Sequence, residues 1–298
     1  MREAFIAKTF RPDTLDIIDK ANAIIADYVA QGFRLTLRQL YYQFVARGLI
    51  ANSQANYKRL GSILNDARLA GYVDWDAIED RTRFLRKAPA WGSPQDIVEA
   101  CANQYKEDLW ADQPAVVEVW IEKDALIGVI EGVCTRNRVP YLACRGYASQ
   151  SELYSAGKRL AKAMRGGRRA VVLHLGDHDP SGLDMTRDNS DRLDMFSRMG
   201  VDVRRLALNM DQVEQYDPPP NPAKETDSRS TGYIEEYGAS SWELDALEPT
   251  VIDALVQEAI DDLRDDGTWQ RSLKLEATHR AQLASVAEGW DDIVASLR

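Results

Sequence analysis

Two apolar runs that end on acidic residues constrain the fold of this chain most. Val171–Leu175 form one run, and an Asp-His-Asp turn containing Asp177 and Asp179 follows it after a glycine. Val116–Ile121 form the other run, and Glu122 follows it directly. Mostly apolar runs of this length are typical of strands buried in a parallel sheet, and open α/β sheets bind ligands at the carboxyl ends of their strands. The sequence therefore predicts three carboxylates at one edge of a sheet.

Strand and helix patterns alternate around these two runs. Strands are expected at 116–121, 139–144, 169–175 and 203–208, with helices at 124–134, 149–164 and 182–199 between them. Alternation of this kind indicates an α/β fold, in which a parallel-rich sheet carries helices on both faces.

The acidic edge is a candidate metal centre. Three neighbouring carboxylates repel one another unless positive charge lies between them, and Mg²⁺ (with Mn²⁺ as a substitute) binds carboxylates while keeping waters free for a phosphate. Asp177 and Asp179 could instead cap the next helix. His178, between them, is expected to face solvent because alternate residues of a turn point apart. Asp184 is either a fourth acid of the site or a residue that caps the helix or is solvated.

The first 90 residues follow a different pattern. Helical periodicity covers 12–31, 37–47 and 52–70, and Tyr72–Trp75 could form a short strand or wing before the basic segment RTRFLRK. Three helices and a wing predict a winged helix-turn-helix whose third helix, with Lys58 and Arg59, enters the major groove of DNA. A small helical bundle without a DNA role is the alternative.

The second of these helices contains adjacent tyrosines. At 100° per residue Tyr41 falls on the apolar side with Leu40 and Phe44, whereas Arg38 and Tyr42 share another face at positions i and i+4. Tyr42 is therefore predicted to reach outward. A tyrosine hydroxyl is a poor nucleophile at neutral pH unless a nearby cation or metal stabilises its anion. Arg38 could supply part of that charge, or could hold the phosphate under attack. Packing of Tyr42 against neighbouring apolar side chains is the alternative.

Charge and composition narrow the class of protein. The net charge is −10, but residues 1–90 carry 14 Lys and Arg against 10 Asp and Glu, whereas residues 241–298 carry 5 against 13. The basic balance lies where DNA contact is predicted. Three cysteines without a CxxC pair indicate neither a disulfide framework nor a zinc site. Without a secretory signal or an apolar run of 18 residues, the chain is expected to be cytoplasmic, associated with the nucleoid.

Several motifs resemble those of one protein family. VEVWIEKDAL, CRGYASQSEL and HLGDHDPSGLDM resemble a Toprim domain, in which the strand-end Glu and both acids of the DxD turn hold Mg²⁺; they match Glu122, Asp177 and Asp179. TLRQLYY resembles the motif of the topoisomerase VI A subunit and the meiotic double-strand-break transesterase, and its catalytic tyrosine and arginine match Tyr42 and Arg38. The resemblance runs from about residue 34 to about residue 250, and is greatest to the short stand-alone Mini-A relatives.

The resemblance implies an organisation and an activity. Residues 1–88 would form a winged-helix domain carrying the tyrosine, 89–114 a structured connection, and 115–298 a Toprim domain with C-terminal helices. The activity would be type IIB topoisomerase-like breakage of double-stranded DNA through a 5′-phosphotyrosyl intermediate. The tyrosine of each protomer would act with the acids of the other in a homodimer. Because the chain has no Walker motif, strand passage would need a separate ATPase subunit.

Further basic residues are candidate DNA contacts. Arg145 follows a predicted strand beside a glycine, and Lys224 and Arg229 lie in the long proline-rich loop 209–248. All three could equally be solvated surface residues.

Two other functions fit the same motifs. A Toprim nuclease could hydrolyse DNA with metal-activated water and leave Tyr42 structural. A catalytically inactive DNA-binding protein is the second alternative, although all three acids are present.

Overall fold

The computed structural model describes residues 2–79, 90–223 and 229–296. Three helices open the chain: α1 (Pro12–Ala30), α2 (Leu37–Ala46) and α3 (Gln54–Leu69). Their apolar faces share one core, here called the head. Residues 72–75 form turns and bends, so the prediction of a strand there is wrong. The basic segment 81–87 lies outside the described residues. The head is thus a three-helix unit.

A parallel sheet forms the centre of the remaining chain. Its strands are β1 (Ala115–Ile121), β2 (Tyr141–Ala143), β3 (Arg169–Leu175) and β4 (Asp202–Ala207), in the order β2-β1-β3-β4. All three neighbouring pairs are parallel. The α/β class predicted from the alternating pattern is confirmed.

Helices cover both faces of this sheet. A short 3-10 turn (Asp124–Leu126) leads into α5 (Ile127–Asn137), while α6 (Gln150–Arg165) and α7 (Pro180–Ser197) make the next two crossovers. Alternate residues of a strand point to opposite faces. Val117, Val119 and Ile121 of β1 accordingly join the core on the α5 side, and Trp120 joins the core beneath α6 and α7.

The other helices and strands pack around the sheet and the helices that cover it. They are α4 (Pro94–Gln104), α8 (Met210–Tyr216), β5 (Asn221–Pro222), α9 (Ser230–Tyr237), β6 (Ser240–Ser241), a 3-10 turn (Leu244–Ala246), α10 (Pro249–Asp261), α11 (Asp266–Glu288) and α12 (Trp290–Ser296). Helix α4 packs against α11, α10 packs against α5, and β5 pairs with β6 antiparallel. No helix within the described ranges is long and apolar enough to span a bilayer.

Two features of the fold position the candidate site. Ile121 pairs with Leu175, so β1 and β3 end at the same level and Glu122 lies beside the turn that follows β3. Helix α2 packs on the 3-10 turn at 244–246, where Ala246 enters the core of the head. Helix α2, which carries Tyr41 and Tyr42, therefore lies next to the acidic edge of the sheet of its own chain.

Candidate functional site

Helix α2 carries both tyrosines and Arg38. Thr36 begins it with a capping box, in which the Thr36 hydroxyl accepts from Gln39 N and the Gln39 amide oxygen accepts from Thr36 N. Tyr41 and Tyr42 are 4% and 5% exposed. The prediction that Tyr42 reaches outward is therefore wrong as stated, because the turn after Glu243 covers the face of α2 that the helical pattern leaves open.

The two phenols differ in their partners. The Tyr41 hydroxyl donates to Asn52 Oδ1 at 2.9 Å and accepts from Ser53 N at 2.7 Å, which fixes it as a structural link. Burial and the carboxylate of Glu243 raise the pKa of Tyr42, and Arg38 only partly offsets them. The Arg38 guanidinium lies 5.9 Å from the Tyr42 ring centre. Tyr42 is therefore a protonated phenol between a carboxylate and a guanidinium.

Arg38 and Lys123 connect the head to the sheet edge through shared carboxylates. Arg38 pairs with Glu243, and its Nε lies 2.7 Å from Asp245 Oδ2. The Lys123 ammonium lies 3.0 Å from Glu243 Oε2, 2.7 Å from Asp245 Oδ1 and 2.8 Å from Asp177 Oδ1. Charge-assisted contacts at these distances are among the strongest hydrogen bonds in proteins. One network thus runs from Tyr42 to Asp177.

Electrostatics in this network favour ionised groups. Burial acts to raise the pKa of Glu243, but Lys123 and Arg38 outweigh it and lower that pKa to about 2. Burial acts to lower the pKa of Lys123, but Asp177, Asp245 and Glu243 raise it overall. Glu243 is consequently a carboxylate and Lys123 an ammonium at neutral pH.

The three acids predicted as metal ligands lie close together but have other partners. Glu122 Oε2 accepts from Asp177 N at 2.9 Å. Asp177 Oδ1 accepts from Leu244 N at 2.8 Å in addition to Lys123. Asp179 Oδ1 accepts from Gly182 N at 2.6 Å and caps α7. Helix capping, the alternative weighed for the DxD turn, is what Asp179 does.

Arg205 supplies further positive charge below these acids. Its guanidinium donates to the carbonyls of Asp177 at 2.6 Å and Gly182 at 2.9 Å and to the Thr186 hydroxyl at 2.9 Å. Burial lowers the pKa of Arg205 to about 10, against the attraction of Glu122, Asp177 and Asp179. Arg205 therefore both shapes the turn and offsets the acids.

The carboxyl groups themselves respond mainly to burial. Burial raises the pKa of Glu122, and the nearby Asp179 raises it further, while the hydrogen bond from Asp177 N opposes both. Burial also raises the pKa of Asp177, with Glu122 and Asp245 adding to the rise and Lys123 opposing it. Raised carboxyl pKa values mean that more positive charge would be favourable at this edge.

The chemistry of the three acids suits Mg²⁺, but their placement and partners do not. Carboxylate oxygens are the ligands that Mg²⁺ prefers. However, the described residues contain no group of three or more His, Cys, Asp or Glu side chains placed to hold a metal ion. Asp177 is bound by an ammonium and a backbone N–H, and Asp179 by the start of a helix. In this arrangement the three acids do not fit the ion, because Lys123 and Arg205 supply the positive charge that the sequence analysis expected from Mg²⁺.

A cavity of about 380 Å³ opens at the joint between the head and the sheet. It is lined by aromatic, amide and charged side chains from both parts: Arg38, Tyr41, Tyr42, Asn52, Ser53, Gln54, Tyr57, Asn221, Pro222 and Glu243. The cavity lies within the range of roughly 300–1,000 Å³ that is typical of ligand sites. Although Tyr42 is nearly buried, it faces a space large enough for a reacting group.

The predicted DNA contacts lie in several places. Lys58 and Arg59 are exposed on α3, and Lys58 follows the cavity residue Gln54 by one helical turn. The Arg145 side chain is 73% exposed and pairs with Asp124 at 3.1 Å. Arg229 pairs with Asp184 at 2.9 Å and lies over the Tyr147 ring. Lys224 lies outside the described residues.

Two expectations about neighbouring residues change. His178 is 1% exposed, not solvent-facing, because residues 178 and 242 pair as a β-bridge and its Nδ1 lies 2.8 Å from the Tyr233 hydroxyl. Asp184 forms ion pairs with Arg187 and Arg229 and accepts from Tyr147, so it is an ion-paired surface acid of α7.

Sequence analysis missed four residues of the network: Lys123, Arg205, Glu243 and Asp245. Lys123 could have been noticed, since it is a cation two residues after a strand that is mostly apolar. Arg205 lies inside β4, whose sequence DVRRLA contains a second arginine and gives no reason to choose it. Glu243 and Asp245 lie in the WELDAL segment, which carries no signal of its own for contact with α2.

Comparisons with known proteins add nothing to these observations. No protein-family model matches the sequence, and no curated protein matches it. The resemblance to the topoisomerase VI A subunit consequently depends on the motifs alone.

Proposed function

We propose that this chain cleaves DNA by transesterification, with Tyr42 as the nucleophile. The observation that supports this most is the position of the Tyr42 phenol, which shares a cavity wall with Arg38 and Glu243. A nucleophile, a proton acceptor and a cation for a phosphate are then within one site, which is the combination that such a reaction needs.

Each side chain has a defined role in the proposed step. The Tyr42 oxygen attacks the phosphorus of a DNA phosphodiester while its proton passes to Glu243, which becomes more basic once the incoming phosphate takes Arg38 away from it. The bond from phosphorus to the 3′ oxygen breaks, and that oxygen leaves as a hydroxyl after taking up a proton from solvent. A 5′-phosphotyrosyl bond replaces the broken bond, so reversal of the same step reseals the strand.

The raised pKa of Tyr42 explains why a proton acceptor is needed. Burial keeps the phenol protonated at neutral pH, and a neutral phenol attacks phosphorus slowly unless a base removes its proton during the reaction. Arg38 can form bidentate hydrogen bonds with the phosphate once the phosphate displaces Glu243 or Asp245 from the guanidinium. Lys123 keeps Glu243 in place behind the nucleophile.

The three-helix head would be a winged helix-turn-helix, and the parallel sheet with its crossovers a Toprim domain. Double-stranded DNA would be the substrate, and a homodimer would cut both strands. Mg²⁺, with Mn²⁺ as a substitute, is the cofactor that the resemblance implies. A separate ATPase subunit would be needed only for strand passage.

The test is capture of protein-linked DNA. Supercoiled and linear DNA are incubated with the protein in Mg²⁺ or Mn²⁺, the reaction is stopped with denaturant, and labelled DNA that migrates with protein is measured. Wild type should give the adduct and Tyr42→Phe should give none. Tyr154→Phe is the matched control, because Tyr154 is 52% exposed on α6, and it should give as much adduct as wild type.

The same assay separates the other two functions. Burial of Tyr42 favours a structural role, as a hydrolytic nuclease would require. Cleavage that persists in Tyr42→Phe without protein-linked label would establish hydrolysis by water. A gel shift without cleavage in either metal would indicate a DNA-binding protein.

A further inference from the structure

The cavity beside Tyr42 has the chemistry of a nucleobase site. Three tyrosine rings line it, from Tyr41, Tyr42 and Tyr57, and amide side chains of Asn52, Gln54 and Asn221 lie among them. Aromatic faces stack on any base, and amides can both donate to and accept from base edges. A phosphate alone would need neither feature.

The walls of the cavity are held in place by their own hydrogen bonds. Tyr41 is fixed by Ser53 and Asn52, and its ring meets the Tyr57 ring edge to face at 5.3 Å between centres. Asn52 Nδ2 donates to Asn221 Oδ1 at 2.6 Å and joins the head to β5. A prearranged site loses less conformational entropy when it binds a ligand.

Two polar groups of the cavity remain available. Within the described parts of the chain, neither the Tyr57 hydroxyl nor the Gln54 amide makes a hydrogen bond. Both lie on the first two turns of α3, and Lys58 is one turn beyond Gln54 on the same side of that helix. A base edge could therefore bind Tyr57 and Gln54 while an adjoining phosphate lies near Lys58.

Size decides what can enter. The cavity of about 380 Å³ admits one small molecule. A DNA duplex is too wide to enter it, since the major groove of a duplex alone accommodates an α-helix. A nucleotide of duplex DNA can reach such a cavity only if it leaves the stack, as happens in enzymes that act on extruded bases. Arg38 and Tyr42 on the same wall would then face its phosphate.

We propose that this cavity binds one unpaired nucleotide of the DNA strand, with its base against Tyr57 and its phosphate at Arg38. The inference rests on the proposed function, since it takes DNA as the substrate, and it adds that the strand is cut next to an extruded base. Extruding a base from a duplex costs free energy, and the cost is smaller at a mismatch because the base is not properly paired there. DNA with one mismatched or unpaired base should accordingly bind better than fully paired DNA.

The test compares affinities for two duplexes of equal length and sequence, one fully paired and one with a single unpaired base. Fluorescence anisotropy measures binding, and a denaturing gel of the same samples checks that the DNA is uncut. Wild type should prefer the duplex with the unpaired base by about tenfold, near the lower end of the effect of base–aromatic stacking. Tyr57→Leu should reduce the preference to about one, and Tyr57→Phe, which keeps the ring, should retain most of it.

Controls make the result specific. Tyr154→Leu, on α6, should keep the full preference. Circular dichroism and melting curves should show Tyr57→Leu folded. Free deoxynucleoside monophosphates form a second arm: millimolar nucleotide should compete weakly, because the rest of the strand supplies most of the binding.

Four outcomes overturn the inference. Equal affinity for the two duplexes in wild type removes its basis, and so does an unchanged preference in Tyr57→Leu. If a free nucleotide binds as tightly as the unpaired duplex, the cavity is a site for soluble nucleotides instead. Should either of the first two occur while the Tyr42 adduct still forms, the proposed function stands and only the base site fails. Absence of any DNA binding would overturn both.

Discussion

Lys123→Met removes the ammonium at the centre of the network and keeps the length of the side chain. The side chains of Asp177, Asp245 and Glu243 around it are 10%, 1% and 25% exposed, and Lys123 itself is 18% exposed. Solvent therefore screens these charges weakly. Loss of one partner from a buried ion pair costs about 3–5 kcal/mol, because the other charge stays desolvated. Glu243 retains Arg38, so we expect a loss near the lower limit.

The loss should depend on pH in a defined direction. Burial already raises the pKa of Asp177, and loss of Lys123, which opposes that rise, moves the pKa further above its value in the unfolded chain. A carboxyl with a raised folded pKa takes up a proton on folding, so stability increases as pH falls through that pKa. The free energy of unfolding lost in Lys123→Met should thus be smaller at pH 5 than at pH 7.

Urea unfolding followed by circular dichroism measures this difference. Lys20→Met is the matched control, because Lys20 pairs with Asp16 on the surface with side chains 44% and 60% exposed. Exposed pairs of this kind contribute about 0–1 kcal/mol. A change below about 1 kcal/mol in Lys123→Met, or one equal to that in Lys20→Met, would refute the view that Lys123 holds the acidic edge together.

Three further predictions concern the neighbouring residues. Wild-type stability should fall between about pH 5 and pH 2, because the pKa of Glu243 is lowered to about 2 in the folded chain; Glu243→Gln should flatten that fall in urea titrations. Arg205→Lys should lower the free energy of unfolding by about 2–3 kcal/mol, since lysine cannot reach all the carbonyls that Arg205 binds; equal stability would contradict its role. Asp179→Asn should keep the α7 cap and the melting temperature, whereas Asp179→Ala should lose about 1 kcal/mol. If Asp179→Asn nevertheless abolishes DNA cleavage, Asp179 is a ligand as well as a cap.

Local patterns were sufficient for the elements of the sheet. Strand β3 begins and ends at the predicted residues, because a charged residue precedes its apolar run and a glycine follows it. Buried strands and amphipathic helices leave such signals in adjacent residues. The positions of Glu122 and Asp177 at one edge follow from the same signals.

Long-range contacts explain what the sequence could not give. Lys123 meets Glu243 and Asp245 from about 120 positions away, so no local pattern connects them. The helical pattern correctly places Tyr41 and Tyr42 on different faces of α2. It contains no information about the turn at 244–246, which covers the face that carries Tyr42. His178 was misplaced for the same reason, since its partner Trp242 lies far along the chain.

The most direct test of the account is the mass of the peptide that contains Tyr42. After reaction with DNA, denaturation, and digestion by nuclease and protease, mass spectrometry should find a nucleotide phosphate on Tyr42 and none on Tyr41. DNA that is cut while the Tyr42 peptide stays unmodified would contradict transesterification by this residue.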